Sequence, residues 1–347
     1  MKFGLLHLFE SPGGNTEKEM VDENLEMIQA ADELGFDSIW LAEHHFSEYG
    51  VMPSTAVMAA ALARSTKNIR IGTGVVVLPL HNPIQVAEEF AMVDLLSNGR
   101  LDFGVGRGYQ PSEFQGFGID MDDSRDRFDE SLEVILKLWT EESVTFNGKY
   151  VQMQDLRVRP RPMQLPHPPV WVAGISPQTF SLVGSKGYNL LFPPPWQPST
   201  TAINTYREAL SAAGHDPHGT RIAALVHMYV DDETERAKKD FEEPLIWYYR
   251  TFSGLVARPA GVAAPNTYEH YSALRDLTET VTYEQLLALD GVVVGDPELC
   301  ISKIRRLKEL YGVTDILCWT RLGGLDHRKV MHSMELCAKY VTPAFQD

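Results

Sequence analysis

Cysteine is scarce in this 347-residue chain: three occur, Cys300, Cys318 and Cys337, all in its last fifth. An odd number at wide gaps excludes a disulfide framework, and none has metal-ligand spacing, so no metal site is expected. Small buried apolar side chains in a reducing, cytoplasmic setting are the expectation. Positive charge is also short. Lys and Arg total 31 against 47 Asp and Glu, a net charge of −16. So acidic a chain repels phosphate backbones and anionic lipid, which argues against nucleic-acid and membrane-surface binding. No apolar stretch reaches the ~18 residues of a membrane span. The opening MKFGLLHLFESPGG lacks a cleavage-site pattern and reads as a strand and a loop, not a signal peptide. There is no internal repeat and no low-complexity tract. With 44% hydrophobic and 22% charged residues, the composition is that of a soluble globular chain.

What is present is an alternation of short apolar runs and longer amphipathic segments. Apolar runs are expected as strands at Phe3–Phe9, Ser38–Glu43, IRIGTGVVVLP and LDFGVGRG. Helices are expected at Glu17–Leu34, Ser54–Arg64, Pro83–Leu96 and Ser124–Trp139. Strands that are apolar throughout fit a parallel sheet buried on both faces. The rhythm breaks at VTFNGKYVQM, where Asn147-Gly148 signals a hairpin, and at the Pro-rich Arg157–Pro169. It resumes with strands PVWVAG, Asn189–Phe192, Arg221–Val230 and Thr314–Trp319. The helices are Pro177–Lys186, Thr201–Ala213, Glu233–Arg250, Pro297–Tyr311 and His327–Tyr340. Thr251–Asp290 is irregular, too long for an ordinary connection, and reads as a lid or partly helical insertion. Eight strands in one βα series predict an α/β fold, a (β/α)8 TIM barrel forming a single domain over 1–347, with insertions near 143–168 and 251–290.

A barrel of this kind builds its site from the residues just after each strand. Those residues are Glu43, His44 and His45; Arg107, Gly108 and Tyr109; Ala173, Gly174 and Ser176; and Thr320 and Arg321. His44 and His45 are adjacent, so one faces the mouth while the other packs. An imidazole there can give or take a proton near neutral pH. Glycines on both sides of Arg107 let a ligand approach, and a guanidinium suits a phosphate. Ser176 opens a helix whose free N–H groups also suit phosphate, with Thr179 on its first turn; it serves equally as a plain N-cap. Gly104, Gly106 and Gly108 do not form a dinucleotide fingerprint. The tryptophans Trp171, Trp196, Trp247 and Trp319 are expected in packing rather than stacking. The acidic Asp120–Asp126 cluster is expected to cap a helix.

The segments FDSIWLAEHHFSEYG, IRIGTGVVVLPLHNPIQVAEEFAMVDLLSNGRLDFGVGRG and FGIDMDDSR resemble the bacterial luciferase family of flavin-dependent monooxygenases. The resemblance runs in register over about residues 1–190 and more loosely beyond. It implies the same barrel, luciferase-like in detail. The implied cofactor is reduced FMN, supplied by a separate, transiently meeting NAD(P)H:flavin reductase. The implied co-substrates are dioxygen and a small organic molecule, oxygenated through a flavin hydroperoxide. It implies His44 as the catalytic histidine and Arg107, Ser176 and Thr179 as phosphate contacts, with Gly74 and Val75 against the flavin ring and joined by a cis peptide. Gly108, Tyr109, Ala173 and Gly174 complete the expected cofactor site, and a homodimer is the family default. Departures occur at Gly106, where the luciferase α chain has a reactive cysteine, at Ile175 for a glutamate and at Pro194 for a tryptophan. Aldehyde specificity and light emission therefore do not carry over. Two alternatives stay open: a deazaflavin-dependent hydride transfer, and a non-catalytic flavin-binding partner subunit like the luciferase β chain.

Overall fold

The computed structural model describes residues 1–192, 200–256 and 281–346. Several helices start where the sequence supplies a cap. Helix α1 (Glu17–Leu34) opens on a capping box between Thr16 and Glu19 and closes on Gly35 in the left-handed region. Ser54 caps α2 (Thr55–Ser65), and Asn82 followed by Pro83 starts α3 (Pro83–Leu96). The early strands are β1 (Lys2–His7), β2 (Ser38–Leu41), β3 (Arg70–Thr73), the short β4 (Val76–Val77) and β5 (Leu101–Gly106). Then come α4 (Pro111–Gly116), α5 (Ser124–Thr140), an antiparallel hairpin of β6 (Val144–Asn147) and β7 (Gln152–Leu156), and β8 (Val170–Ala173). The second half holds α6 (Pro177–Ser185), β9 (Asn189–Phe192), α7 (Thr200–Ala212), β10 (Ile222–Val230), α8 (Thr234–Val256), β11 (Val292–Gly295) and β12 (Asp315–Trp319).

Eight of these strands close into a parallel barrel in the order β1, β2, β3, β5, β8, β9, β10, β12, and β12 pairs back onto β1 with Lys2 opposite Asp315. This is the expected (β/α)8 architecture. Three features depart from the sequence reading. A further parallel strand, β11, pairs with the far half of β10 outside the ring, His227 opposite Val292. Helix α4 fills what reads as loop, and α8 runs on to Val256 although Pro244 lies inside it. The Thr251–Asp290 stretch, expected as a lid or partly helical insertion, is helical at its start and over Tyr283–Leu287; residues 257–280 lie outside the described residues.

The strand starts form the foot of the barrel, tied by buried charge. Arg70 Nε donates to Asp102 Oδ2 at 2.6 Å, Trp171 Nε1 to Asp102 Oδ1 at 3.1 Å, and Arg221 Nε to Asp315 Oδ2 at 3.0 Å. Burial raises the Asp315 carboxyl, against the opposing pull of Arg221. Above this layer Trp40, fully buried, meets Trp171 edge-on at 5.2 Å. The indole fits only because Gly72 faces it: a Cβ there would lie 2.4 Å from the Trp40 ring. Removing such a side chain costs ~3–5 kcal/mol. The indole therefore acts as a plug, leaving the open space to the strand ends above it.

The 143–168 insertion is fastened to two helices by carboxylates. Glu130 on α5 accepts the backbone N–H groups of Lys149 and Tyr150, both at 2.8 Å. Asp94 on α3 accepts those of Met163 and Gln164 at 2.7 and 2.9 Å. The 157–169 segment contains no helix and carries cis bonds before Pro160 and Pro166.

Candidate active site

The strand ends surround a cavity with about 1470 Å³ of space between atoms, counting its open mouth. His44, Gly74, Val75, Arg107, Gly108, Tyr109, Ala173, Gly174, Ser176 and Thr179 all line it. The sequence-predicted positions thus come together on one surface, although they arise from four different strand ends.

The β2 end supplies the histidines, and they diverge. His44 faces the cavity. Its Nδ1 lies 3.0 Å from Glu113 Oε1, and Glu113 is buried on α4. A hydrogen on Nδ1 shared with that carboxyl leaves Nε2 as the atom presented to the cavity. Gln110 places its side-chain amide 2.8 Å from the same Nδ1, where its oxygen suits an N–H better than its nitrogen does. His45 turns away and bonds Glu43 Oε1 at 3.0 Å.

Glu43 is the centre of this region. Its Oε1 also meets His81 Nε2 at 2.7 Å, and its Oε2 accepts the Val77 N–H at 3.1 Å. Burial alone would raise its carboxyl, but His45, His81 and the Val77 N–H reverse this and hold it down to about 2. The carboxylate fixes the chain that carries Gly74 and Val75, which are joined by a cis peptide. Gly108 follows with φ of 76°, and a Cβ there would lie 2.7 Å from Val77 Cγ1.

Across the cavity Ser176 caps α6. Its Oγ accepts the Thr179 N–H at 3.2 Å and lies 2.9 Å from Thr179 Oγ1. The plain N-cap reading of Ser176 therefore holds, and the same hydroxyl also lines the cavity. Arg125, on the first turn of α5, lines it as well, and both Arg107 and Arg125 bear on the Asp129 carboxyl of that helix. Two guanidiniums, two hydroxyls and a helix start make one arm of the cavity a fit for a phosphate dianion. Gly174 and Gly106 keep the wall between that arm and the Gly74-Val75 segment thin. A Cβ on Gly174 would lie 2.3 Å from Thr179 Cγ2, and one on Gly106 would lie 2.7 Å from Val75 Cγ2.

The other arm was not legible beforehand. Tyr49, Tyr248, Phe252 and Trp319 line it beside Tyr109. Trp319 was expected only to pack, yet it forms cavity wall. Tyr248 and Phe252 stand four residues apart on one face of α8, a spacing that core packing also produces. Arg321 is corrected too: it does not line the cavity, because its guanidinium pairs with Glu23 at 2.7 Å. Trp196 and Pro194 lie outside the described residues.

Residues 1–314 match the family model described as luciferase-like monooxygenase. The chain belongs to the luciferase-like monooxygenases. It is 30% identical to the oxygenase component of a flavin-dependent trigonelline monooxygenase from Acinetobacter baylyi, with 100% of this chain and 96% of that one covered. Among solved structures, it matches monooxygenase RslO1 from Streptomyces bottropensis with a TM-score of 0.87, 28% identity and 100% of both chains covered. A second match is the oxygenating constituent of 3,6-diketocamphane monooxygenase from Pseudomonas putida, solved in complex with FMN. Its TM-score is 0.77 and its identity 25%, covering 99% of this chain and 98% of that one. As a luciferase-like monooxygenase the chain is an oxidoreductase, and its cavity lies at the barrel end where the fold places active sites.

The Glu43 knot carries a testable pH dependence. Its folded value of about 2 lies below the ordinary 4.5, so its stabilisation is complete above pH 4.5 and is lost as pH falls through 2. Glu43→Gln should cost about 3 kcal/mol at pH 7 in urea unfolding. The gap between variant and parent should close as pH is lowered from 4.5 towards 2; a gap that stays constant would remove the carboxylate from this role.

Proposed function

We propose that the protein is a monooxygenase that uses reduced FMN and dioxygen to oxygenate a small organic substrate. The observation that carries this reading is the shared cavity, in which His44 Nε2 and the Arg107–Ser176–Thr179 arm face the same space. Arg107, with Arg125, would hold the FMN phosphate, assisted by the Ser176 and Thr179 hydroxyls and the start of α6. The Gly74-Val75 backbone, Gly108, Tyr109, Ala173 and Gly174 would border the ring system. Reduced FMN, when bound, supplies the electrons that activate dioxygen.

The chain's own part is position, dryness and one proton. Leu6, Leu8, Leu225 and Leu317 give the cavity an apolar floor that excludes water. The Nδ1 contact with Glu113 orients His44, so that Nε2 can hold or pass a proton next to the reacting centre. A separate NAD(P)H:flavin reductase would deliver the reduced cofactor. The naming of the Acinetobacter relative as an oxygenase component supports this division of labour. The three cysteines are buried and unlinked, which fits a cytoplasmic location, and no described helix is long and apolar enough to cross a membrane.

Assembly as a homodimer has a physical basis in α2 and α3. Val57 is 72% exposed, and Met92 and Leu95 are 45% and 40% exposed, on two helices that pack side by side. A second copy covering that face would remove the apolar surface from water.

Three outcomes follow. His44→Ala should keep FMN affinity within about threefold but lose at least ~100-fold in turnover, in line with the loss of a general acid–base group. Wild-type turnover in anaerobically reduced, air-mixed samples would end its assigned role. Arg107→Ala should weaken FMN at least ~10-fold in fluorescence titration, the scale of one charged contact. Tighter binding of a deazaflavin than of FMN would instead favour hydride transfer. Size-exclusion should show a dimer that Val57→Asp with Met92→Asp converts to monomer; a wild-type monomer removes the dimer.

A further inference from the structure

The arm opposite Arg107 has a chemistry of its own. Tyr248 stands at its centre. Its ring lies nearly parallel to Tyr49 at 5.6 Å and 29° and to Phe252 at 6.1 Å and 22°, and meets Trp319 edge-on at 4.6 Å. Tyr109 closes the group against Phe252 at 5.7 Å, and His44 touches both Tyr49 and Tyr109 edge-on, at 4.9 and 5.8 Å. These rings present a broad, stiff wall of π faces and edges.

The polar groups in this wall are uncharged. Tyr109 OH donates to Tyr49 OH at 3.1 Å, and Tyr49 OH donates to Tyr248 OH at 3.1 Å. The chain starts at Tyr109, whose hydroxyl lies 3.5 Å from His44 Nε2. With the hydrogens running from Tyr109 through Tyr49 to Tyr248, no acceptor among the described residues takes the hydrogen of Tyr248. A phenol buried to 5% exposure gains by finding one. Burial holds the Tyr49 and Tyr248 hydroxyls well above their usual range, so both remain neutral donors. The charged groups that line the cavity are engaged outside this arm. Glu43 is held by His45 and His81, Glu113 by His44 and the His45 N–H, and the two guanidiniums share the neighbourhood of Asp129.

We propose that this arm is the organic-substrate subsite and that it takes an uncharged, flat aromatic molecule bearing an oxygen that accepts from the Tyr248 hydroxyl. The proposal rests on the reading that the Arg107 arm holds the cofactor phosphate. A flat ring exchanges water for the Tyr49–Tyr248–Phe252 wall, the oxygen completes the phenol chain, and an anionic ligand finds its opposite charges, Arg107 and Arg125, in the other arm. The arrangement also sets the aromatic ligand beside His44.

The test is calorimetric binding to the flavin-free protein of three probes on one carbon skeleton: 2-naphthol, its saturated counterpart decahydro-2-naphthol, and 2-naphthoate. We expect 2-naphthol to bind at least fivefold more tightly than either. Tyr248→Phe should weaken it at least fivefold while leaving FMN affinity unchanged, which also reports that the variant is folded. Saturating oxidised FMN should change 2-naphthol affinity by less than twofold. Equal or tighter binding of the saturated alcohol, or of the carboxylate once FMN saturates the Arg107 arm, overturns the subsite, as does absence of saturable 2-naphthol binding or its displacement by FMN. If Tyr248→Phe does not fold, the ranking of the three probes on the wild-type chain decides alone. The two readings fail separately: a protein that ranks the probes as expected but does not bind FMN overturns the flavin site and leaves the subsite standing.

Discussion

One buried carboxylate organises the mouth of this barrel. Glu43 sits at the end of β2 and reaches His45 on its own strand end, His81 beyond β4 and the Val77 N–H within it. A charge taken out of water must be paired several times over, and these three donors do so. The consequence is positional. The chain around Gly74 and Val75 cannot drift away from His44, because both are tied to the same residue or its neighbour. The cavity surface is therefore held in place where it is lined by the ends of β2 and β4, and its shape there is inherited from an electrostatic requirement rather than from packing alone.

The two ends of the barrel divide their tasks. At the foot, Arg70 with Asp102 and Arg221 with Asp315 neutralise one another within a closed shell of hydrogen bonds. At the mouth, Arg107 and Arg125 face a cavity. The same residue type thus closes the foot and lines the mouth, where its proposed task is capture of a phosphate. The proposed chemistry follows this polarity: phosphate to the cationic arm, aromatic ring to the phenol-lined arm, and an imidazole between them.

Much of the architecture was legible because it is written locally. Capping residues such as Thr16, Asn82 and Ser176 sit at the helix starts, and unbroken apolar runs mark strands buried on both faces. The ring of eight strands followed from counting, and the residues just past each strand led to the cavity. What stayed hidden depends on distant pairing. Strand β11 is four residues long and becomes a strand only by lying along β10. Glu113 gains meaning from an imidazole 69 positions away in sequence, and Tyr49 from a phenol 199 positions away. Arg321 looked available because its partner, Glu23, lies on a helix at the opposite end of the chain. Trp319 reads as core because an indole in a cavity wall and one in a core have the same sequence neighbours.

The Trp40 plug has a further effect. By filling the barrel beneath the cavity it turns a tube into a cup, with one rim among the described residues. Among the described residues the proposed occupants, a nucleotide and an organic guest, would share one doorway and obstruct each other's passage. Order of entry would then be a property of the vessel's shape: the occupant that seats deepest would come first and leave last.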